Sequence, residues 1–232
     1  MVKKQSETLP KNTINLPDSN YPLTLRKFLT MKKLAFILVT GLWLGSCNGP
    51  DKKTDENQAA NNSPKTSRNS DSFNQSFEKI LSSYNELRDA LVDYDTVKAN
   101  AASKKLEQYA DSLMINEITN DSTGAIKETA KNYTETIKGS ALGLIGETDL
   151  VKKKREFQMI SDAMYDLVRT VKYDKQKLYH QHCPMAFNDE EDAYWLSNNR
   201  EIVNPYLGKQ HPKYKAGMLH CGETTDSLDF SQ

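Results

Sequence analysis

Between Phe73 and Tyr94 the apolar residues Phe73, Phe77, Ile80, Tyr84, Leu87, Leu91 and Tyr94 fall at steps of three and four. Such spacing builds one apolar stripe along a helix that must bury itself against a partner. The stripe recurs. Asp95 can cap a second helix by accepting from the free N–H groups of its first turn, and Val97, Ala101, Leu106, Tyr109 and Leu113 carry the period onward. A turn at Tyr94 and Asp95 would make the two helices antiparallel. A third segment, Asp121 to Leu144, carries Ile126, Ala130, Tyr133, Ile137 and Ala141, and Gly139, Gly143 and Gly146 are expected to weaken and end it. Thr148 is the expected cap of a fourth helix with the face Phe157, Ile160, Met164, Leu167 and Val171. Short connections predict a mainly α fold, an up-down four-helix bundle over 71–173.

After Tyr173 the pattern changes. "LYHQHCPMAF" reads as one strand and "AYWLS" (Ala193 to Ser197) as another, with Asn188 to Asp192 as the turn between them. A loop rich in Pro and Gly then returns the chain to "MLHCGE". Residues 174–225 thus form a small C-terminal β-hairpin and loop module.

Upstream of the bundle, "MKKLAFILVTGLWLGSC" sets Lys32 and Lys33 before an apolar run that ends in small residues and Cys47. This reads as a secretory signal over 31–46. Its apolar run of about a dozen residues is shorter than the roughly 20 that a spanning helix needs. "LGSC" resembles the lipobox of bacterial lipoproteins, which implies lipidation of Cys47 and a membrane anchor. Residues 1–30 are polar and unpatterned, and Met31 reads as the biological start, with the piece before it an artefact. Residues 47–70 lack aromatic and β-branched aliphatic residues and read as a disordered tether, spanning roughly 25 to 30 Å.

The charges exclude one class of partner. The chain has 31 Lys+Arg and 31 Asp+Glu, but residues 1–46 hold seven of the former and two of the latter, leaving 24 against 29 in the remainder. No basic domain remains to neutralise phosphates, so nucleic acid is not an expected partner. The run Lys152 to Arg155 reads as a solvated first turn of its helix. The bundle contains no histidine or cysteine, and no nucleophile, base and orienting group assemble anywhere in the chain, so an enzyme is not expected.

Chemistry is concentrated in the terminal module. Tyr179 to Phe187 holds His180, His182, Cys183 and Met185, and Gly217 to Glu223 holds Met218, His220 and Cys221, in a chain with only four histidines and three cysteines. If the clusters meet, they offer two thiolates, two thioethers and three imidazoles. Thiolate and thioether favour Cu(I), whereas structural zinc takes four thiolate or imidazole ligands. In a regular strand Met185 would share a face with Cys183, and His180 would take the other; Pro184 can disturb that. The competing reading is a Cys183 to Cys221 disulfide, suited to an oxidising envelope. Closing a loop of about 39 residues would stabilise the module by roughly 3 to 4 kcal/mol. His211 is expected at the surface.

Cys183-Pro184-Met185, Ala193 to Ser197, Asn204-Pro205-Tyr206 and Met218 to Gly222, with "YNELRDALVDYD" and "FQMISDAMYDLV" in the bundle, resemble an uncharacterised bacterial domain family. That family occurs as envelope lipoproteins and at the C-terminus of periplasmic adaptor subunits of copper and silver efflux systems. The resemblance spans roughly residues 73 to 223; Lys209 to Ala216 makes one loop longer than the family pattern. It implies a periplasmic copper-binding lipoprotein, anchored in the bacterial envelope, and an efflux adaptor as partner; Asn48 after Cys47 is compatible with outer-membrane sorting facing the periplasm. The other expectation is a non-catalytic interaction module, braced by the disulfide and docking on an envelope partner through Tyr194, Trp195 and Tyr206.

Overall fold

A computed structural model of the chain describes residues 67–231. The start at Met31, the signal, Cys47 and most of the tether lie outside the described residues. Four helices, α1 (Asp71–Val92), α2 (Thr96–Asp111), α3 (Ala125–Gly146) and α4 (Leu150–Val171), precede three strands, β1 (Leu178–Phe187), β2 (Glu191–Ser197) and β3 (Glu223–Leu228). A single 3-10 turn, Ile115–Glu117, interrupts the link from α2 to α3. Consecutive helices pack on one another, as expected of an up-down arrangement.

The apolar stripes form the core. Phe73, Phe77, Ile80, Tyr84, Leu87 and Leu91 are buried, and across from them lie Phe157, Ile160, Met164 and Leu167. Each such side chain removed from water stabilises the fold by about 1.5 to 3 kcal/mol before entropy is counted. Ser70, Asp95 and Asp149 cap α1, α2 and α4, each accepting from a backbone N–H of the first turn. The cap of α4 is therefore Asp149 and not Thr148: its carboxylate accepts from Lys152 N at 2.9 Å. Tyr94 takes a left-handed φ of 62° and turns the chain from α1 into α2. Gly139 and Gly143 do not stop α3, which runs on to Gly146; Gly143 instead gives room to the Glu156 side chain of α4.

The three strands form one antiparallel sheet in the order β2-β1-β3. Asn188 and Asp189, at φ 53° and 65°, make the tight turn of the β1–β2 hairpin. Helix α1 closes the outer edge of β2. The Leu196 amide donates to the Tyr84 hydroxyl at 2.9 Å, and the Leu196 carbonyl accepts from Arg88 at 3.3 Å. Tyr84 also bonds Ser161 of α4 at 2.8 Å, so one buried phenol joins two helices to the sheet. An edge covered in this way cannot recruit another strand.

The basic run at the start of α4 is not a solvated face. Lys153 and Lys154 are both buried. Lys153 Nζ donates to the Leu144 carbonyl at 2.6 Å and to Asn100 Oδ1 at 2.7 Å, tying α4 to α3 and α2. Lys154 Nζ donates to the Tyr206 carbonyl at 2.6 Å and lies 3.9 Å from the Tyr94 ring centre. Arg155 pairs with Glu191 at 2.7 Å and covers the Phe187 ring. The three side chains thus fasten the bundle to itself and to the sheet.

Burial depresses the Lys154 pKa from 10.5 to about 7. Between those values the folded chain binds fewer protons than the unfolded one, so this group makes stability rise with pH across the window and fall again as pH drops to 7. We expect the unfolding free energy of the wild type to gain on that of Lys154→Met by on the order of 3 kcal/mol over this range. Urea titrations of both proteins at the two ends of the window would measure it. A constant difference would contradict the assignment.

Candidate metal centre

Cys183 lies on the inner face of β1, fully buried, where the strand loses its regularity. Register with β2 shifts between Cys183 and Phe187. Pro184, lacking an N–H, sits in that bulge. The second cluster arrives from the far side of the sequence. A turn in which Cys221 N donates to the Met218 carbonyl at 3.0 Å presents Cys221 to β1. The two sulfurs lie 3.9 Å apart and both thiols are free.

Two residues hold this approach. Gly222, at φ 136°, passes so close to β1 that a Cβ there would meet the His182 carbonyl oxygen at 2.4 Å and Trp195 at 3.2 Å. No side chain fits at this position. Asn204, fully buried, is the other. Its amide donates to the Cys221 carbonyl at 2.8 Å, its oxygen accepts from the Tyr206 and Leu207 amides, and its own N–H donates to the Leu219 carbonyl. It also lies close enough to Cys183 to favour its thiolate. One side chain therefore ties down the Cys221 segment and closes the long loop before it. Asn204 carried no site assignment in the sequence; its signal was the Asn-Pro-Tyr motif in a loop that had to turn sharply.

Burial pushes the Cys183 thiol up to about 11, against the opposing influence of the nearby Met185 N–H and Asn204 amide, and the Cys221 thiol raises it further. At neutral pH Cys183 is thus a thiol, and a metal taken there displaces its proton. Met185 and Met218 are both partly buried against the hydrophobic core, flanking the two cysteines in sequence.

The histidines divide. His180 and His182 occupy the opposite face of β1 from Cys183. His180 is stacked between Tyr165 and Tyr194 at 3.9 and 4.8 Å, and burial lowers its pKa. His182 stacks on Tyr194, with Asp192 at 3.3 Å and Glu223 at 3.9 Å from its two ring nitrogens. The structure does not bring these two rings to the sulfur pair. His220, exposed beside Cys221, directs Nδ1 to the Ile202 carbonyl at 2.7 Å. That bond requires Nδ1–H and leaves the lone pair on Nε2, the arrangement commonly found in metal-bound imidazoles. Among the described residues, no group of three or more His, Cys, Asp and Glu side chains converges as a metal site, so further donors to the sulfur pair would have to include the thioethers.

The expected docking face is corrected. Trp195 and Tyr206 are fully buried, packed edge to face with centroids 6.0 Å apart. They form the core of the module, and of the three aromatics only Tyr194 reaches solvent.

Residues 80–176 match the model of a family described as a protein of unknown function (DUF3347). The match covers most of α1 and the remaining helices, and ends just before β1. The similarity therefore rests on the bundle, and the sulfur pair lies beyond it. No curated protein and no solved structure matches the chain.

Proposed function

We propose that the protein is a membrane-tethered periplasmic copper-binding lipoprotein, linked to copper or silver resistance or efflux, in which Cys183 and Cys221 hold Cu(I) with Met185 and Met218. The separation of the two sulfurs, 3.9 Å, carries this reading. Two sulfurs each about 2.3 Å from one tetrahedral ion stand about 3.8 Å apart, whereas disulfide sulfurs stand about 2.05 Å apart. Thioethers beside thiolates select a soft ion. A lipid on Cys47 would anchor the chain in the envelope, and the protein would buffer copper or pass it to a periplasmic adaptor. Its role is binding and not catalysis.

A second reading uses the same proximity. Two thiols this close in an oxidising compartment can join, and a Cys183 to Cys221 bridge would brace a structural module that docks on an efflux complex without carrying metal.

Competition with a chromogenic Cu(I) chelator under anaerobic conditions separates the two. The first reading predicts one tight copper per reduced chain, weakened about tenfold in Met185→Leu/Met218→Leu and about a hundredfold or more in Cys183→Ser. Unchanged affinity in the methionine double variant would remove the thioethers from the site. Unchanged affinity in Cys183→Ser would reject the site itself.

A further inference from the structure

A cavity of about 480 Å³ opens between the start of α4, the hairpin turn and the 209–216 loop. It shares no residue with the sulfur pair. Tyr94, Leu150, Phe187 and Tyr206 supply apolar walls, and Lys154, His211 and Lys213 supply cationic or donor groups. The carboxylates in the lining are already engaged. Asp189 pairs with Lys213 at 2.5 Å, and Asp149 accepts from Lys152 N at 2.9 Å.

Lys154 differs from these. Its side-chain nitrogen is buried, its contacts are a carbonyl oxygen and an aromatic face, and with no carboxylate beside it the group is only partly protonated near pH 7. A buried charge without a counter-charge is costly. One N–H of the ammonium serves the Tyr206 carbonyl, so a donor remains for a ligand. The His211 ring is prepared similarly. Its Nδ1 accepts from the Lys213 and Tyr214 amides at 3.3 Å each, which places the proton on Nε2 as a donor. Lys154 and His211 both line this cavity.

We propose that this cavity binds a small organic carboxylate with an apolar body, Lys154 supplying the counter-charge and His211 a second donor. The apolar walls favour a flat hydrocarbon body over an inorganic anion. The 209–216 loop brings His211 to the cavity, and the Lys213 to Asp189 pair latches that loop onto the hairpin turn. The 209–216 loop thus forms one wall of a ligand site.

The test is a ¹H–¹⁵N chemical-shift titration of the purified protein with benzoate, benzamide and benzylammonium at matched ionic strength. Saturable benzoate shifts are expected at the amides of Phe187, Asp189, Tyr206 and His211. Benzamide, matched in shape but uncharged, should bind about tenfold or more weakly, and benzylammonium weaker still. His211→Gln should weaken benzoate about threefold, and Lys154→Met should erase the preference for benzoate over benzamide. Equal binding of benzoate and benzamide by the wild type would overturn the proposal. So would benzoate shifts that spread over surface lysines without saturating. The wild-type ligand series decides the matter even if Lys154→Met fails to fold.

Discussion

Trp195→Ala lowers the unfolding free energy by about 3 to 5 kcal/mol in urea titrations, the cost of removing a fully buried indole from a packed core. Among the described residues Trp195 is the largest of the fully buried side chains. It touches Tyr206 edge to face and stands 3.2 Å from where a Gly222 Cβ would lie, so its removal opens a cavity directly behind Cys221. The effect is expected in the sheet module first, seen as early amide exchange in β2 and β3 while the stripe residues of α1 and α4 stay protected. A loss below about 1 kcal/mol, typical of an exposed site, would contradict the packing described for this module.

Asn204→Leu has a comparable cost for a different reason. The amide removed satisfies the Cys221 carbonyl and the Tyr206 and Leu207 N–H groups, all at 2.8 to 3.0 Å. Leaving these three backbone groups unpaired in a dry interior costs about 1 to 3 kcal/mol each, so a loss of about 3 kcal/mol or more is expected. The substitution also frees the segment that carries Cys221. Stability measured by urea titration should fall, and Cu(I) affinity of the remaining folded protein should fall with it. If stability fell while copper affinity held, Asn204 would be a fold residue without influence on the sulfur pair.

The helices were legible because their apolar period is long and unbroken, and the same stripe that placed Phe157 and Met164 on the inner face extends backward to Lys153 and Lys154. The lysines were read by their charge alone, yet four-carbon stems on a stripe can be buried when carbonyl oxygens receive the ammonium groups. The hairpin was legible from "AYWLS" and the polar turn, and the shift in register past Pro184 followed from its missing N–H. Strand β3 was not anticipated. "ETTDSL" is polar and mostly exposed, held by its backbone ladder to β1 and marked in the sequence only by its threonines. The meeting of Cys183 and Cys221 followed from shared chemistry. The support beneath it, a buried asparagine with hydrogen bonds to residues on both sides of a long loop, depends on tertiary contacts that local patterns do not encode.

The central claim is that two reduced thiols form a soft-metal site. Its most direct test counts free thiols and bound copper on the purified protein, as isolated and again after mild anaerobic reduction and Cu(I) addition. The account predicts one copper per reduced chain, retained through desalting, with Cys183 and Cys221 both protected from alkylation by the bound ion. No free Cys183 or Cys221 thiol as isolated, and no retained copper after reduction, would contradict it and make the pair a structural bridge.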